Sequence, residues 1–267
     1  MNLLEIENLS ISFEQYVKGM RKRIINVVHD LNITVKEGEI LAIFGASGSG
    51  KSLLAHSILG LLPYNAKVSG NYVFKGKSYN YSQLCTLRGR EISLVPQSIT
   101  SLNPLLKTKK QINLGLNSYE KSKADKIFKD FGLSEKVYDL YPHELSGGMA
   151  RRVLVSSAIV KDVSLIVADE PTPGMDDDSL EEITKMFKAL RGQGKSLLLI
   201  THDIDMATAL ADRIGIFYDG TIIEVEEACK FKGQGLELKH PYSKALLRAL
   251  PKNGFLGPDE DIKKCLK

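Results

Sequence analysis

The sequence predicts an α/β fold with a mainly parallel sheet, an antiparallel β subdomain and an inserted α-helical subdomain. Three observations point there. Continuous apolar runs at residues 40–44, 165–168 and 197–200 have the length and composition of strands buried on both faces. Helical patterns follow the first two runs, and strand–helix alternation implies right-handed crossovers into a parallel sheet. From about residue 103 to 160 the periodicity is helical, which reads as a lobe inserted into the α/β frame.

Each element has its own justification. Leu4, Ile6, Leu9, Ile11 and Phe13 are spaced like a half-buried strand with one break of phase. A basic stretch at residues 18–23 reads as a hairpin excursion, after which Leu31, Ile33 and Val35 resume period two and Gly38 supplies a turn. A helix is expected from Lys51 to about Leu62, stopped by Pro63. Residues 68–95 read as short strands with a turn at Gly76-Lys77. Ser122 is the expected N-cap of a helix carrying Ala124, Ile127, Phe128 and Phe131. Leu180, Ile183, Met186, Phe187 and Leu190 share one helical face, and Asp219-Gly220 is a hairpin signal between two apolar segments. A short helix near residues 242–250 closes a domain of residues 1–250, leaving 251–267 as a tail.

Composition narrows the function classes. The chain has 267 residues, 43% of them hydrophobic and 25% charged, which excludes a disordered chain. The net charge of +4 is too small for a protein that coats nucleic acid. Cys85, Cys229 and Cys265 stand far apart, which argues against a disulfide framework or structural zinc and fits a reducing compartment. The N-terminus lacks the pattern of a signal peptide, and no apolar run approaches the roughly 18 residues of a membrane-spanning helix. A membrane role would therefore come through a partner.

Three motifs carry chemistry. Gly45-Ala46-Ser47-Gly48-Ser49-Gly50-Lys51-Ser52 matches G-x-x-x-x-G-K-[ST], whose backbone amides curl around phosphate oxygens. Lys51 would reach the β- and γ-phosphates and Ser52 would ligate Mg²⁺. A flexible Gly/Ser linker has the same composition, but this one lies between a buried strand and a helix, as phosphate binding requires. The strand at residues 165–168 ends in Asp169 and Glu170. Asp169 can hold Mg²⁺ opposite Ser52, and Glu170 can take a proton from an attacking water or orient it. Leu145-Ser146-Gly147-Gly148-Met149 precedes a helix expected to start near Ala150 and offers a second anion-binding spot; alone it would read as an ordinary loop.

In this order the residues resemble the ATP-binding subunits of ABC transporters, over nearly the whole chain. The phosphate loop, Gln97, the signature at Leu145, the Asp169-Glu170 pair, Asp176 and His202 all match. The resemblance implies a P-loop ATPase core, with residues 45–53 contacting ATP, Leu53 included. It implies that Gln97 senses Mg²⁺ alongside Ser52 and Asp169, and that His202 contacts the γ-phosphate. Lys51, Glu170 and His202 are then the catalytic set, Ser146, Gly147 and Gly148 close on ATP held by a partner subunit, and Asp176 serves communication across the dimer. Phe13 sits where the family places an aromatic under adenine; an inward strand residue is the other reading. The loop Pro171-Thr172-Pro173-Gly174-Met175-Asp176 departs from the family's usual pattern, and the signature ends in Met149 rather than glutamine.

Leu102-Asn103-Pro104-Leu105 and the segment from His240 to Leu247 resemble the oligopeptide, dipeptide and nickel importers. Within that group, residues 50–53 leading into Leu59-Gly60-Leu61-Leu62-Pro63, and Cys85-Thr86-Leu87-Arg88-Gly89, look more like the nickel-importer ATPase. The expected function is an importer motor for nickel or a metal chelate, with oligopeptide or dipeptide import as the alternative. The expected partners are a second ATPase subunit, two membrane permease subunits and an extracellular solute-binding protein, at the cytoplasmic face of the membrane. A non-transport ABC ATPase acting on DNA or ribosomes is the remoter rival; no long coiled-coil insertion, second cassette or basic stripe supports it. Nucleic acid is not expected as a partner.

Overall fold

The computed structural model describes residues 1–17, 21–172, 175 and 177–254. Two long strands, β1 (Asn2–Val17) and β2 (Arg21–Lys36), pair antiparallel as far as the Val17–Arg21 register, and residues 18–20 of the expected excursion lie outside the described residues. The phase break read in β1 is a register shift between Ile6 and Leu9, with Asn8 at φ 51°. The buried run forms β3 (Ile40–Phe44), followed by the phosphate loop and α1 (Lys51–Ile58).

Helix α1 is shorter than expected because Gly60 stops it before Pro63. Gly60 adopts φ 63°, its N–H donates to Ser57 O, and the Leu61 N–H donates to His56 O at 2.8 Å. β4 (Ala66–Phe74) and β5 (Lys77–Tyr79) complete a four-stranded sheet of order β2-β1-β4-β5. β6 (Ile92–Val95) instead joins the main sheet.

The inserted lobe contains α2 (Thr108–Ile112), α3 (Ser118–Asp130) and α4 (Gly147–Ile159). The N-cap of α3 is Asn117, five residues before the expected Ser122. Asn117 accepts from the Glu120 N–H while the Glu120 carboxylate accepts from the Asn117 N–H, a reciprocal cap that fixes the earlier start. α4 starts at Gly147 rather than Ala150, because the Ser146 hydroxyl caps the Met149 N–H. The lobe has its own core, with Phe128, Val153 and Leu133 at its centre.

The main sheet continues with β7 (Leu165–Asp169), α5 (Asp177–Gly192), β8 (Ser196–Thr201), α6 (Ile204–Leu210), β9 (Arg213–Tyr218) and β10 (Thr221–Glu227), and α7 (Pro241–Arg248) follows. Its order is β10-β9-β3-β8-β7-β6, parallel except for β10. The β9–β10 hairpin turns on Asp219 and Gly220, both at positive φ as a type I′ turn demands.

Strand periodicity divides the interior in two. Ile40, Ala42 and Phe44 of β3 face a core built with the helices α4 to α7. Leu41 and Ile43 face the opposite core, shared with α1 and the antiparallel sheet. β7 and β8 alternate the same way, so both faces bury aliphatic side chains, each contributing about 1.5–3 kcal/mol.

Candidate functional site

Parallel strands deliver their C-terminal ends to one edge of the sheet, where ligands bind in open α/β folds. Here β3 ends in the phosphate loop, and β8, β7 and β6, the successive strands to one side of it, lead into His202, Asp169-Glu170 and Gln97. Residues far apart in sequence therefore meet.

The phosphate loop wraps the start of α1. Gly50 is the helix N-cap at φ 109°, which other residues rarely adopt, and a Cβ on it would meet Val27 at 3.2 Å. Gly45 needs its missing side chain for another reason: a Cβ there would lie 2.5 Å from the Phe217 carbonyl oxygen. Lys51 is buried at 3% exposure, and its Nζ donates to Gly45 O at 2.9 Å and Ala46 O at 2.6 Å. Burial pulls the Lys51 pKa below the usual lysine range, while the charges of Glu170 and Asp169 oppose that shift. Ala46, Ser47 and Gly48 remain exposed at the top of the loop.

Asp169 is 2% exposed and accepts a hydrogen bond from the Ser52 hydroxyl at 3.1 Å. Burial raises its pKa, against the Ser52 hydrogen bond that favours the carboxylate. Glu170 leaves the strand at φ 42°, an uncommon conformation for a residue with a side chain, while its N–H still donates to Ile200 O at 2.8 Å. Gln97 Nε2 donates to Glu170 Oε2 at 2.7 Å, and His202 Nδ1 lies 3.4 Å from Glu170 Oε1. Five predicted site residues thus form two contiguous groups, Ser52–Asp169 and Gln97–Glu170–His202, joined by the Asp169-Glu170 peptide.

Other predicted residues stand apart from these bonds. Ser146 and Gly147 are exposed at the N-terminus of α4. Gly148 is packed so that a Cβ would meet Ser179 Oγ at 2.5 Å. Phe13 pairs with Ile25 and Ala66 in the antiparallel sheet and is half-buried against its core. Leu53 packs against that same core. Asp176 lies outside the described residues.

Two contributing residues escaped the sequence reading. Asp203 caps α6 by accepting from the Asp205 and Met206 N–H groups, and its own N–H donates to Thr201 Oγ1, which fixes the turn carrying His202. An acidic residue just before an apolar helical run was the available signal. Arg151, buried in α4, donates to Pro96 O at 3.2 Å, and nothing in the local pattern marked it.

The family model described as ABC transporter matches residues 28–173. This chain belongs to the ABC transporter ATPases. The family binds and hydrolyses ATP in support of transport. This ABC ATPase is 32% identical over 271 residues to the oligopeptide transport ATP-binding protein OppD of Lactococcus lactis subsp. cremoris (strain SK11), covering 94% of this chain and 76% of the relative. It is 35% identical over 270 residues to the dipeptide transport ATP-binding protein DppD of Haemophilus influenzae, covering 94% and 78%. Among solved structures, a dimeric ATP-binding cassette, MJ0796, bound to ADP and phosphate after hydrolysis superposes with a TM-score of 0.72 at 27% identity. That alignment covers 84% of the ABC ATPase and 98% of the cassette. Among the described residues, no helix of the ABC ATPase is long and apolar enough to cross a membrane.

Proposed function

We propose that this chain is the ATP-hydrolysing motor subunit of an importer for oligopeptides or dipeptides. The observation that carries the motor reading is the Gln97–Glu170–His202 group beside Ser52–Asp169 at the mouth of the phosphate loop. The peptide cargo rests on the names of the relatives, which are oligopeptide and dipeptide transport proteins.

Each residue has a role on this reading. Lys51 exchanges its Gly45 and Ala46 carbonyl partners for the β- and γ-phosphate oxygens, and the loop amides hold the remaining phosphate charge. Ser52, Asp169 and the free oxygen of the Gln97 amide are hard oxygen donors of the kind Mg²⁺ takes, and the buried Asp169 carboxylate suits a cation. Bound there, Mg²⁺ supplies neutralisation of charge on the β- and γ-phosphates. Glu170 accepts the proton of the attacking water, and His202 contacts the γ-phosphate. Ser146, Gly147 and Gly148 serve the ATP of a second, different ATPase subunit. Asp176 serves the dimer contact and Phe13 the adenine. Two permease subunits and an extracellular solute-binding protein complete the machine, which places this subunit at the cytoplasmic face of the membrane without nucleic acid.

Nickel is the second reading, and its ground is the pair of segments at residues 59–63 and 85–89. In the fold those segments pack on each other: a Cβ on Gly60 would lie 3.3 Å from the Cys85 nitrogen, and the Leu62 N–H donates to the Tyr81 hydroxyl. A shared local turn accounts for the likeness without reference to cargo. The deciding experiment compares uptake of a labelled reporter peptide and of nickel in intact and Lys51→Ala cells. Loss of peptide uptake alone is expected; loss of nickel uptake alone would overturn the peptide assignment.

A further inference from the structure

The helix that carries the signature residues is wired to the catalytic carboxylate through one buried cation. Arg151 lies on α4, four residues beyond Gly147, and is only 6% exposed. Its Nη1 donates to the carbonyl oxygen of Pro96 at 3.2 Å. Its Nε is buried without a hydrogen-bond partner among the described residues. Pro96 is followed by Gln97, whose amide donates to Glu170 Oε2 at 2.7 Å.

Stability alone does not account for this arginine. Burying a guanidinium carries a desolvation penalty of several kcal/mol, and a single bond to a neutral carbonyl offsets only part of it. An apolar side chain of similar length would fill the same space with no charge to desolvate. The arginine does supply something an apolar residue cannot, a directed donor at the carbonyl that sets the height of Gln97. That bond ties α4 to the residue that precedes Gln97.

We propose that Arg151 is a positioning residue for ATP hydrolysis, holding Pro96 so that the Gln97 amide meets Glu170 and coupling the pose of the signature helix to the catalytic carboxylate. This rests on the ATPase reading given above. Arg151 touches neither nucleotide nor water on this account; it acts through Gln97.

The test is a double-mutant cycle in the full chain, with steady-state ATP hydrolysis and equilibrium binding of a fluorescent ATP analogue measured for each variant. Arg151→Met is expected to lower kcat about tenfold to a hundredfold, the scale of one directed charged hydrogen bond, and to leave analogue affinity within about twofold. Arg151→Lys, which keeps a donor, recovers part of kcat. In a Gln97→Ala background, Arg151→Met adds less than about a twofold loss, because the path already ends there. Additive losses, or affinity that falls in step with kcat, would overturn the proposal. Should the Met variant fail to fold, Arg151→Lys completes the same cycle with the same criteria. A Lys51→Ala control separates the two claims: hydrolysis surviving in that variant contradicts the assignment of hydrolysis to this phosphate loop, whereas a failed cycle with a dead Lys51→Ala removes only the role of Arg151.

Discussion

Ser52 and Asp169, 117 residues apart in sequence, share a hydrogen bond of 3.1 Å at the sheet edge where α1 begins and β7 ends. On the proposed reading their oxygens hold a hard cation beside the phosphate loop. Ser52→Ala is expected to raise the Mg²⁺ concentration for half-maximal hydrolysis by about tenfold or more, the scale of losing a group that orders a metal site. Affinity for ATP in the absence of Mg²⁺ should hold. A Mg²⁺ titration of hydrolysis, beside binding in excess chelator, checks both halves.

The same carboxylate strains the fold. Burial raises the pKa of Asp169, so its protonated form is favoured in the folded chain relative to the unfolded one. The stability this contributes is full below the ordinary aspartate pKa and is lost as the pH rises through the raised value. Above that raised value the ionised Asp169 is therefore a net cost. Asp169→Asn should raise the thermal midpoint of the nucleotide-free protein in that pH range while abolishing Mg²⁺-dependent hydrolysis. A lowered midpoint in scanning calorimetry would show that the Ser52 bond outweighs desolvation.

Gly45→Ala tests the packing of the phosphate loop. The added Cβ would meet the Phe217 carbonyl oxygen at 2.5 Å, and that oxygen belongs to a strand held in the sheet. Relief requires moving either β9 or the loop. Overpacking of this kind typically costs about 1–3 kcal/mol. A fall in thermal midpoint together with weakened nucleotide binding is expected; Gly38→Ala, where nothing lies within 4 Å but φ is 67°, separates backbone strain from the clash.

Glu226 clamps the region around α7. Lys230 at 2.7 Å and Lys239 at 2.8 Å both bind its carboxylate, and their hydrogen bonds hold its pKa down at about 2. The contribution is present above the ordinary glutamate value of 4.5 and fades as the pH falls from there towards 2. Acid titration of the wild type should show a loss of stability in that window that is smaller in Glu226→Gln. Identical acid profiles for the two would show that the lysines do not hold the segment.

Legibility followed from how local each determinant is. The buried runs became β3, β7 and β8, because a strand covered on both faces writes itself as consecutive aliphatic residues. Asp219-Gly220 and the phosphate loop were equally readable, since each needs particular residues at adjacent positions. Helix limits were less so. Gly60 ended α1 before Pro63, and the Asn117–Glu120 cap started α3 ahead of its apolar stripe. Least legible were the contacts that depend on strand order. The positive φ of Glu170, its bond to Gln97 and the burial of Arg151 arise only once β6, β7 and α4 are side by side.

The most direct test of the account is Glu170→Gln. The amide keeps the size of the side chain but cannot take a proton from water, while Lys51, Ser52 and Asp169 stay in place. The variant should bind Mg²⁺-ATP with affinity close to the parent's, hydrolyse it at least a hundredfold more slowly, as loss of a general base typically causes, and accumulate as a closed pair with its ATPase partner. Hydrolysis at the parent's rate in Glu170→Gln would contradict the assignment of Glu170 as the base and with it the mechanism built on the Gln97–Glu170–His202 group.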